Sequence, residues 1–339
     1  MFRQKLFYFP YFYKVNLKNQ IFNISSDKGF ENLALEAFQF QYRQVNVYRK
    51  FCDLLKVNPS NVKTVNDIPF LPIQFFKSHQ VLTKKKTYQR VFTSSGTTGI
   101  ITSKHYVSDL DLYYKSFTKA FELFFGATEK INILALLPNY LERKGSSLIY
   151  MVDALIQQSK NSNSGFYLND ISSLIEKLEY LEKTNQKTIL LGVSYALLDL
   201  IETKQFQLKN TIIMETGGMK GRRKEMVKEE LQESLKKGFG VATIYSEYGM
   251  TELLSQAYSK ENGIFNCPPW MKILTRDTED AQTLVFNRTG GINVIDLANI
   301  NSCSFIATQD LGKVQEDGSF EILGRFDDSD IRGCNLMVL

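Results

Sequence analysis

Three stretches of this 339-residue chain carry the residue types that phosphate chemistry uses. In the first, Val91-Phe92-Thr93 opens into Ser94-Ser95-Gly96-Thr97-Thr98-Gly99, and Lys104 follows. Glycines let successive backbone N–H groups converge on an anion, hydroxyls add donors, and a lysine adds a mobile positive charge. No Gly-Lys pair closes the loop, so it is not the phosphate loop of the P-loop NTPases. The plainer reading of these residues is a polar surface turn. In the second stretch, Tyr245-Ser246-Glu247-Tyr248-Gly249-Met250-Thr251-Glu252 ends a strand-like run. Strand ends of this kind are where α/β sheets bind ligands. Tyr248 can stack on a flat base, Thr251 can donate to a phosphate, and Glu252 can hold a magnesium ion in a surface cleft. A tyrosine, a turn glycine and an early-helix glutamate also occur together for capping reasons alone. The third stretch joins Asp310-Leu311-Gly312 to Gly324-Arg325-Phe326-Asp327-Asp328. Asp310 offers two acceptor oxygens suited to a ribose diol, and Arg325 offers donors to an adenosine or phosphate oxygen. Asp317-Gly318 between them reads as a hairpin turn.

The rest of the composition narrows the chemistry. With His79 and His105 as the only histidines, a histidine metal centre or a Ser–His or Cys–His relay has almost no material. Cys52, Cys267, Cys303 and Cys334 are far apart and show no CxxC spacing. That argues against structural zinc or a disulfide framework and for a reducing, cytoplasmic setting. The net charge is +5, with Lys84-Lys85-Lys86 the densest basic run. Scattered charge of this size excludes nucleic acid as the main partner while leaving small anions open. The longest apolar run, from Ile189 to Leu198, falls well short of the roughly 20 residues of a membrane span, so stable membrane insertion is not expected. The first residues are broken by charges and Pro10 and read as no signal peptide. With 43% hydrophobic residues, including 25 Phe and 17 Tyr, the chain can build a large core.

The elements that must position these stretches follow from periodicity. Apolar residues from Phe30 to Leu55 at steps of three and four predict one long helix over 30–55. Pro59, Pro69 and Pro72 then mark loop and turn. Strands are expected at 90–93, 131–136, 188–192, 211–215, 241–245, 283–287, 303–308 and 319–323. Helices are expected at 109–125, 146–158, 171–183, 194–203 and 221–236. This alternation predicts an α/β protein with a largely parallel sheet, followed by a smaller, more antiparallel C-terminal third.

In order and rough separation, the three stretches resemble the adenylate-forming superfamily over residues 90–333. There a Ser/Thr/Gly phosphate loop ending in lysine is followed by aromatic-Gly-x-Thr-Glu, Asp-Leu-Gly and Gly-Arg-x-Asp-Asp. Four residues stand between Gly99 and Lys104, a longer step than the usual one. Three further stretches resemble the LuxE-like acyl-protein synthetases, relatives of phenylacetate-CoA ligase: Pro69 to Phe76, Pro138 to Ser147, and Met214 to Arg222. The resemblance, extending over 65–339, implies an α/β large domain with the usual mobile C-terminal domain nearly absent. Only Ser329 to Leu339 follow the Gly-Arg-x-Asp-Asp segment. It implies a body of 1–326, including the N-terminal helical segment, and a tail of 327–339. It also implies ATP and Mg²⁺ as cofactors, a carboxylic acid (by family, a fatty acid) as substrate, and an acyl-acceptor protein as partner. Lys104, Thr251 and the hydroxyls of Ser94, Ser95, Thr97 and Thr98, with Gly96 and Gly99, would serve the phosphates. Gly217 and Gly218 would let the backbone approach adenine, and Asn139 to Ser147 would form a loop beside the acyl pocket. Tyr248, Gly249, Asp310 and Arg325 would complete the nucleotide site, and Glu252 would hold the metal. Cys334 would take the acyl group as a thioester, which requires a thiolate on a segment that can reach the acyl-adenylate. The alternatives are a CoA ligase whose missing domain comes from another subunit, and a non-catalytic nucleotide- or acyl-binding protein.

Overall fold

The computed structural model describes residues 17–84, 86–94, 102–138, 145–217 and 226–326. Its centre is a mixed sheet. The parallel part comprises β4 (Asn132–Leu136), β5 (Gly165–Phe166), β6 (Thr188–Val193), β7 (Thr211–Thr216) and β8 (Tyr245–Tyr248). Helices α5 (Ser147–Ser159), α6 (Ile171–Lys183), α7 (Ser194–Thr203) and α8 (Lys228–Phe239) form the crossovers between successive strands, as parallel pairing requires. Every residue of β4 and β6 is buried, which is why these strands read as continuous apolar runs rather than alternating ones.

The sheet continues without a break into antiparallel strands. These are β9 (Ala257–Ser259), β10 (Ile264–Asn266), β11 (Met271–Arg276), β12 (Leu284–Val285), β13 (Gly290–Asp296), β14 (Phe305–Val314) and β15 (Phe320–Arg325). Their order is β12-β11-β13-β14-β15-β10-β9-β8, and the short β1 (Leu71–Pro72) pairs parallel with β14. The antiparallel third expected from the sequence is present, and it shares one hydrogen-bonded sheet with the parallel part. A separate ribbon, β2 (Arg90–Thr93) with β3 (Lys104–Val107), carries the loop between residues 94 and 103.

Strands β1, β3, β5, β9, β10, β11 and β13 have no counterpart in the sequence reading, and three expected elements divide or sit elsewhere. The single helix expected over 30–55 is two, α1 (Asp27–Gln44) and α2 (Asn46–Leu54). Val45 between them is extended and bridges to Thr83, while Lys84 N donates to the Gln44 carbonyl. A distant strand-like segment thus interrupts the helix at a β-branched residue. The strand expected at 241–245 lies at Tyr245–Tyr248, and the helix expected at 221–236 is α8 at Lys228–Phe239. Gly240, at φ +65°, ends that helix in the left-handed conformation.

The N-terminal helices close over β14. Phe305 lies among Phe38, Tyr48 and Phe70, with ring centroids 6.5, 6.0 and 6.2 Å away. Gln41, the one polar member of the buried face of α1, is wholly covered. Its amide donates toward the carbonyls of Asn299 and Ile300 and toward Ser304 Oγ, and its oxygen accepts from Ser304 N. Buried and fully engaged, it fixes α1 on the segment leading into β14. Helix α4 (Leu110–Phe125), capped by Asp109 at the Leu112 amide, follows β3 directly.

Candidate active site

The carboxyl ends of the parallel strands lie in register: Val193 pairs with Thr216, and Thr216 with Glu247. At this edge Ser194 Oγ donates to the Gly217 carbonyl at 2.7 Å and toward Glu215 Oε2 at 3.3 Å. Gly217 has φ +65°, a backbone state that a side chain resists. Thr216 Oγ1 donates to Glu247 Oε2 at 2.5 Å. A Cβ on Gly249 would fall 2.4 Å from Glu247 Oε1, so this glycine makes room for the buried carboxylate. Burial pushes the Glu215 carboxyl up, and hydrogen bonds from Ser246 and Ser194 with the nearby Lys228 charge partly reverse it. Glu215 and Glu247 were not singled out from the sequence. Position at the end of a parallel strand was the available signal.

The base of the ribbon meets the Thr251–Glu252 turn through Ser103 and His105. Thr93 pairs with Lys104, and the neck of the loop is closed by Ser94 N to Ser103 O and Ser103 N to Ser94 Oγ. Thr93 N also donates to the Gly145 carbonyl, where a Cβ would lie 2.5 Å from Thr93 Oγ1. Lys104 is exposed beside this neck. Ser103 is buried, and its hydroxyl meets the Glu252 carboxyl.

Glu252 is not in a surface cleft, as the sequence reading had it, but 5% exposed. Burial raises its pKa, and the Ser103 hydroxyl and the Arg325 charge offset part of that rise. Two further charged groups, Asp310 and Arg325, lie close enough to act on its carboxyl. Asp310 Oδ2 accepts from the Tyr248 hydroxyl at 2.8 Å, and Oδ1 accepts from Arg325 Nε at 2.8 Å. Asp310 is buried, whereas the Arg325 side chain is 77% exposed. Asp310 and Arg325 are direct partners across β14 and β15. In a flat sheet, four strand spacings would separate β8 from β14, about 19 Å. That exceeds what a tyrosine and an aspartate span together, so the sheet curls to fold β14 and β15 over the end of β8.

Tyr248 therefore reaches the site by its hydroxyl. Its ring packs edge-on to Phe320 at 5.5 Å and tilted against Phe265 at 5.9 Å. Burial, then the neighbouring Asp310 charge, holds the phenol well above its ordinary pKa, so it remains a donor. Asp310 in turn raises the pKa of Arg325.

The structure thus brings together Ser94, Lys104, Thr251 and Glu252 on one side, and Tyr248, Gly249, Asp310 and Arg325 on the other, with Gly217 at the adjoining strand end. Ser95, Gly96, Thr97, Thr98, Gly99, Gly218 and Cys334 lie outside the described residues. Cys52, Cys267 and Cys303 are unpaired, and burial raises all three thiols. Among the described residues no group of three or more His, Cys, Asp or Glu is placed to hold a metal ion. No helix among them is long and apolar enough to cross a membrane.

A family model described as acyl-protein synthetase, LuxE, matches residues 16–339. A long-chain-fatty-acid–luciferin-component ligase of Vibrio harveyi is 23% identical over 329 residues, covering 88% of this chain and 84% of that one. Its namesake from Aliivibrio fischeri is 21% identical over 337 residues, covering 90% and 86%. Among solved structures, a 2-hydroxyisobutyryl-CoA ligase with 2-HIB-AMP and CoA matches with TM-score 0.65 at 13% identity, over 90% of this chain and 70% of that one. ATP-bound MatB from Rhodopseudomonas palustris matches with TM-score 0.53 at 17% identity, over 69% of this chain and 47% of that one. These structural likenesses give the fold: the mixed α/β large domain of the adenylate-forming ligases.

Proposed function

Because the chain belongs to the acyl-protein synthetase (LuxE) family of ATP-using, adenylate-forming ligases, we propose that it activates a fatty acid as acyl-AMP and passes the acyl group through Cys334 to an acceptor protein. The fatty-acid substrate is taken from the luciferin-component ligases it resembles along most of their length. The observation that carries the site assignment is the meeting of three distant stretches. Ser103 touches Glu252, and Glu252 lies within electrostatic range of the Asp310–Arg325 pair.

In the first half-reaction a carboxylate oxygen of the acid attacks the α-phosphorus of ATP, the α–β anhydride bond breaks, and pyrophosphate leaves. Nucleophile and phosphate are both negative, so the protein's task is positioning and charge stabilisation. Lys104, Thr251 and the hydroxyls of Ser94, Ser95, Thr97 and Thr98 would serve the phosphates. Asp310 holds the ribose diol with the acceptor capacity left after Tyr248 and Arg325 have taken their bonds, since an ionised carboxylate accepts at about four positions. Gly217 and Gly249, with Gly218 next in the chain, would let the backbone approach the base, while the Tyr248 hydroxyl orients Asp310. A magnesium ion suits this donor set: Mg²⁺ is commonly held by one or two carboxylates together with substrate phosphates rather than by a protein cage. Glu252 would hold it, and the ion would neutralise charge on the phosphates. In the second half-reaction the Cys334 thiolate attacks the acyl carbonyl, and AMP leaves with the bonding electrons. We assign residues 1–326 to the adenylating body and 327–339 to the tail that carries the thiol. Consumption of ATP by a chain with unpaired cysteines suits a cytoplasmic setting.

Acid-dependent ATP–pyrophosphate exchange over a panel of carboxylic acids tests the first step. Hydroxylamine-sensitive acyl label on the protein tests the second. Cys334→Ala is expected to keep exchange and lose the label. Label that persists in this variant, or acyl-CoA formation by a wild type that never acylates itself, would overturn the carrier assignment in favour of a CoA ligase.

A further inference from the structure

His105 follows the exposed Lys104 on β3, yet its ring is completely buried, edge-on to Phe76 at 5.6 Å. Both ring nitrogens face oxygen. Nδ1 is 2.9 Å from the Thr251 carbonyl, and Nε2 is 3.0 Å from Asn299 Oδ1. The other end of the same amide, Asn299 Nδ2, donates to the Glu252 carbonyl at 2.7 Å. Two neighbouring carbonyls of the turn are therefore held by side chains, Thr251 from β3 by His105 and Glu252 by Asn299. Asn299 is itself held, since its backbone carbonyl accepts from Gln41.

Three links join four groups, and both end groups are carbonyls that only accept. The Thr251 link needs a proton on Nδ1, and the Glu252 link needs the amide N–H₂. Nε2 must then also carry a proton to reach Oδ1. Burial pushes the imidazole down to about 4, so the ring is neutral at ordinary pH and one link stays unmade. Turning the amide over only moves the shortfall to the Glu252 carbonyl. A buried pair of facing acceptors costs stability, while an apolar ring in its place would strand the Thr251 carbonyl without this donor. What these bonds fix is the place of the turn, one carbonyl held by His105 and the next by Asn299.

We propose that His105, with Asn299, is a positioning residue for adenylation: it sets the Thr251–Glu252 turn at a fixed distance from the strand that carries Lys104. The proposal rests on the adenylation reading given above. His105 touches neither substrate nor metal. It keeps in one frame the carboxylate on the turn and the lysine on the ribbon, which otherwise belong to elements more than 140 residues apart (|i−j| is 146 for the His105–Thr251 contact).

The test compares His105→Phe, which keeps ring volume and removes both polar links, with His105→Gln, whose side-chain amide can still donate to the Thr251 carbonyl. Circular dichroism and urea unfolding establish that each is folded. Acid-dependent pyrophosphate exchange then gives kcat and KM separately. A shift of the turn of about 1 Å is expected to lower kcat about 100-fold in His105→Phe, with KM for the acid unchanged. His105→Gln is expected to recover most of that loss. Equal activity of the two folded variants, or wild-type kcat in His105→Phe, would overturn the proposal, because a space-filling ring predicts no dependence on donor capacity. If His105→Phe does not fold, Asn299→Ala removes the Glu252 tether and the Nε2 contact while leaving the His105–Thr251 link. A lowered kcat then supports the assignment and an unchanged kcat refutes it. Absence of exchange in the wild type with every acid would instead strike the adenylation reading beneath it.

Discussion

Removal of the Asp310 carboxylate should cost the protein twice, and the two costs can be separated. In Asp310→Ala the Tyr248 hydroxyl loses its 2.8 Å acceptor while staying within a buried aromatic setting. An orphaned buried hydroxyl costs about 1–3 kcal/mol. The bond to Arg325 is lost as well, but that side chain is 77% exposed, and a solvated ion pair adds no more than about 1 kcal/mol. Urea unfolding should therefore show a loss of about 2–3 kcal/mol in Asp310→Ala, mostly from the tyrosine. In a Tyr248→Phe background the orphan no longer exists, and the same substitution should cost about 1 kcal/mol. The double-mutant cycle isolates a coupling of about 1–2 kcal/mol. ATP titration calorimetry reads the other cost. Two charge-assisted bonds to a ribose diol, each worth about 1.5–3 kcal/mol, should vanish in Asp310→Ala whichever residue is at 248. Additive unfolding energies would refute the buried Tyr248–Asp310 bond as the stabilising link. Undiminished ATP affinity in folded Asp310→Ala would refute the ribose contact and leave Asp310 a structural residue.

Glu252→Gln should fold about as well as the wild type, because the amide keeps the side-chain volume and an oxygen for the Ser103 hydroxyl; pyrophosphate exchange should fall by at least about 10-fold if the carboxylate holds a metal ion. Gly249→Ala should destabilise by about 1–3 kcal/mol in thermal or urea unfolding, since the new Cβ meets Glu247 Oε1. Glu247→Ala in the same chain should relieve most of that loss, and no relief would show that the clash is not with the carboxylate. Asp296 accepts from the amides of Leu254, Ser255 and Ala298 and from the Ser255 hydroxyl, and burial pushes its pKa up to about 6 from an ordinary 3.8. The native state therefore holds this proton more tightly than the unfolded chain, so its contribution to stability should grow as pH falls from about 6 toward 3.8. Unfolding curves of the wild type against Asp296→Asn should diverge in that window, and parallel pH profiles would refute the shift.

Helices α4, α5 and α6 were legible because each has an apolar stripe and a local side-chain cap, whereas α7 and α8 follow Val193 and Val227 without one. The expectation of 109–125 differs from α4 by one residue, with Asp109 supplying the cap. Buried parallel strands such as β6 announce themselves as unbroken apolar runs. Strand β13 does not, because Asn293 and Asp296 interrupt it and are tolerated only through partners elsewhere in the chain: Arg276 for the first, the 254–255 amides for the second. The break at Val45 depends on Thr83, and no local residue marks it. In the site, residue types showed which groups belong together but not which atom of each is used. Tyr248 was assigned by its ring face, yet its hydroxyl makes the contact, with a partner 62 positions away. His105 and Asn299 gave no signal of their own: a polar residue gripping a remote carbonyl resembles any other polar residue until the fold is closed.

The hold of Gln41 on the Asn299–Ser304 segment has a consequence for how the chain must be made. Its partners lie 258 to 263 positions downstream. At about 5–20 residues per second, a ribosome takes roughly 10–50 seconds to deliver them after the glutamine emerges. Throughout that interval the Phe30–Phe38 face of the first helix has no β14 to cover it, and the turn that carries Glu252, once made, still waits for Asn299. Contacts of such separation make for slow closure. The nascent protein therefore passes through a long stage in which a greasy helix is displayed and the catalytic edge is unassembled. A chaperone that shields the amino-terminal helices would raise the yield of active enzyme without ever touching the site.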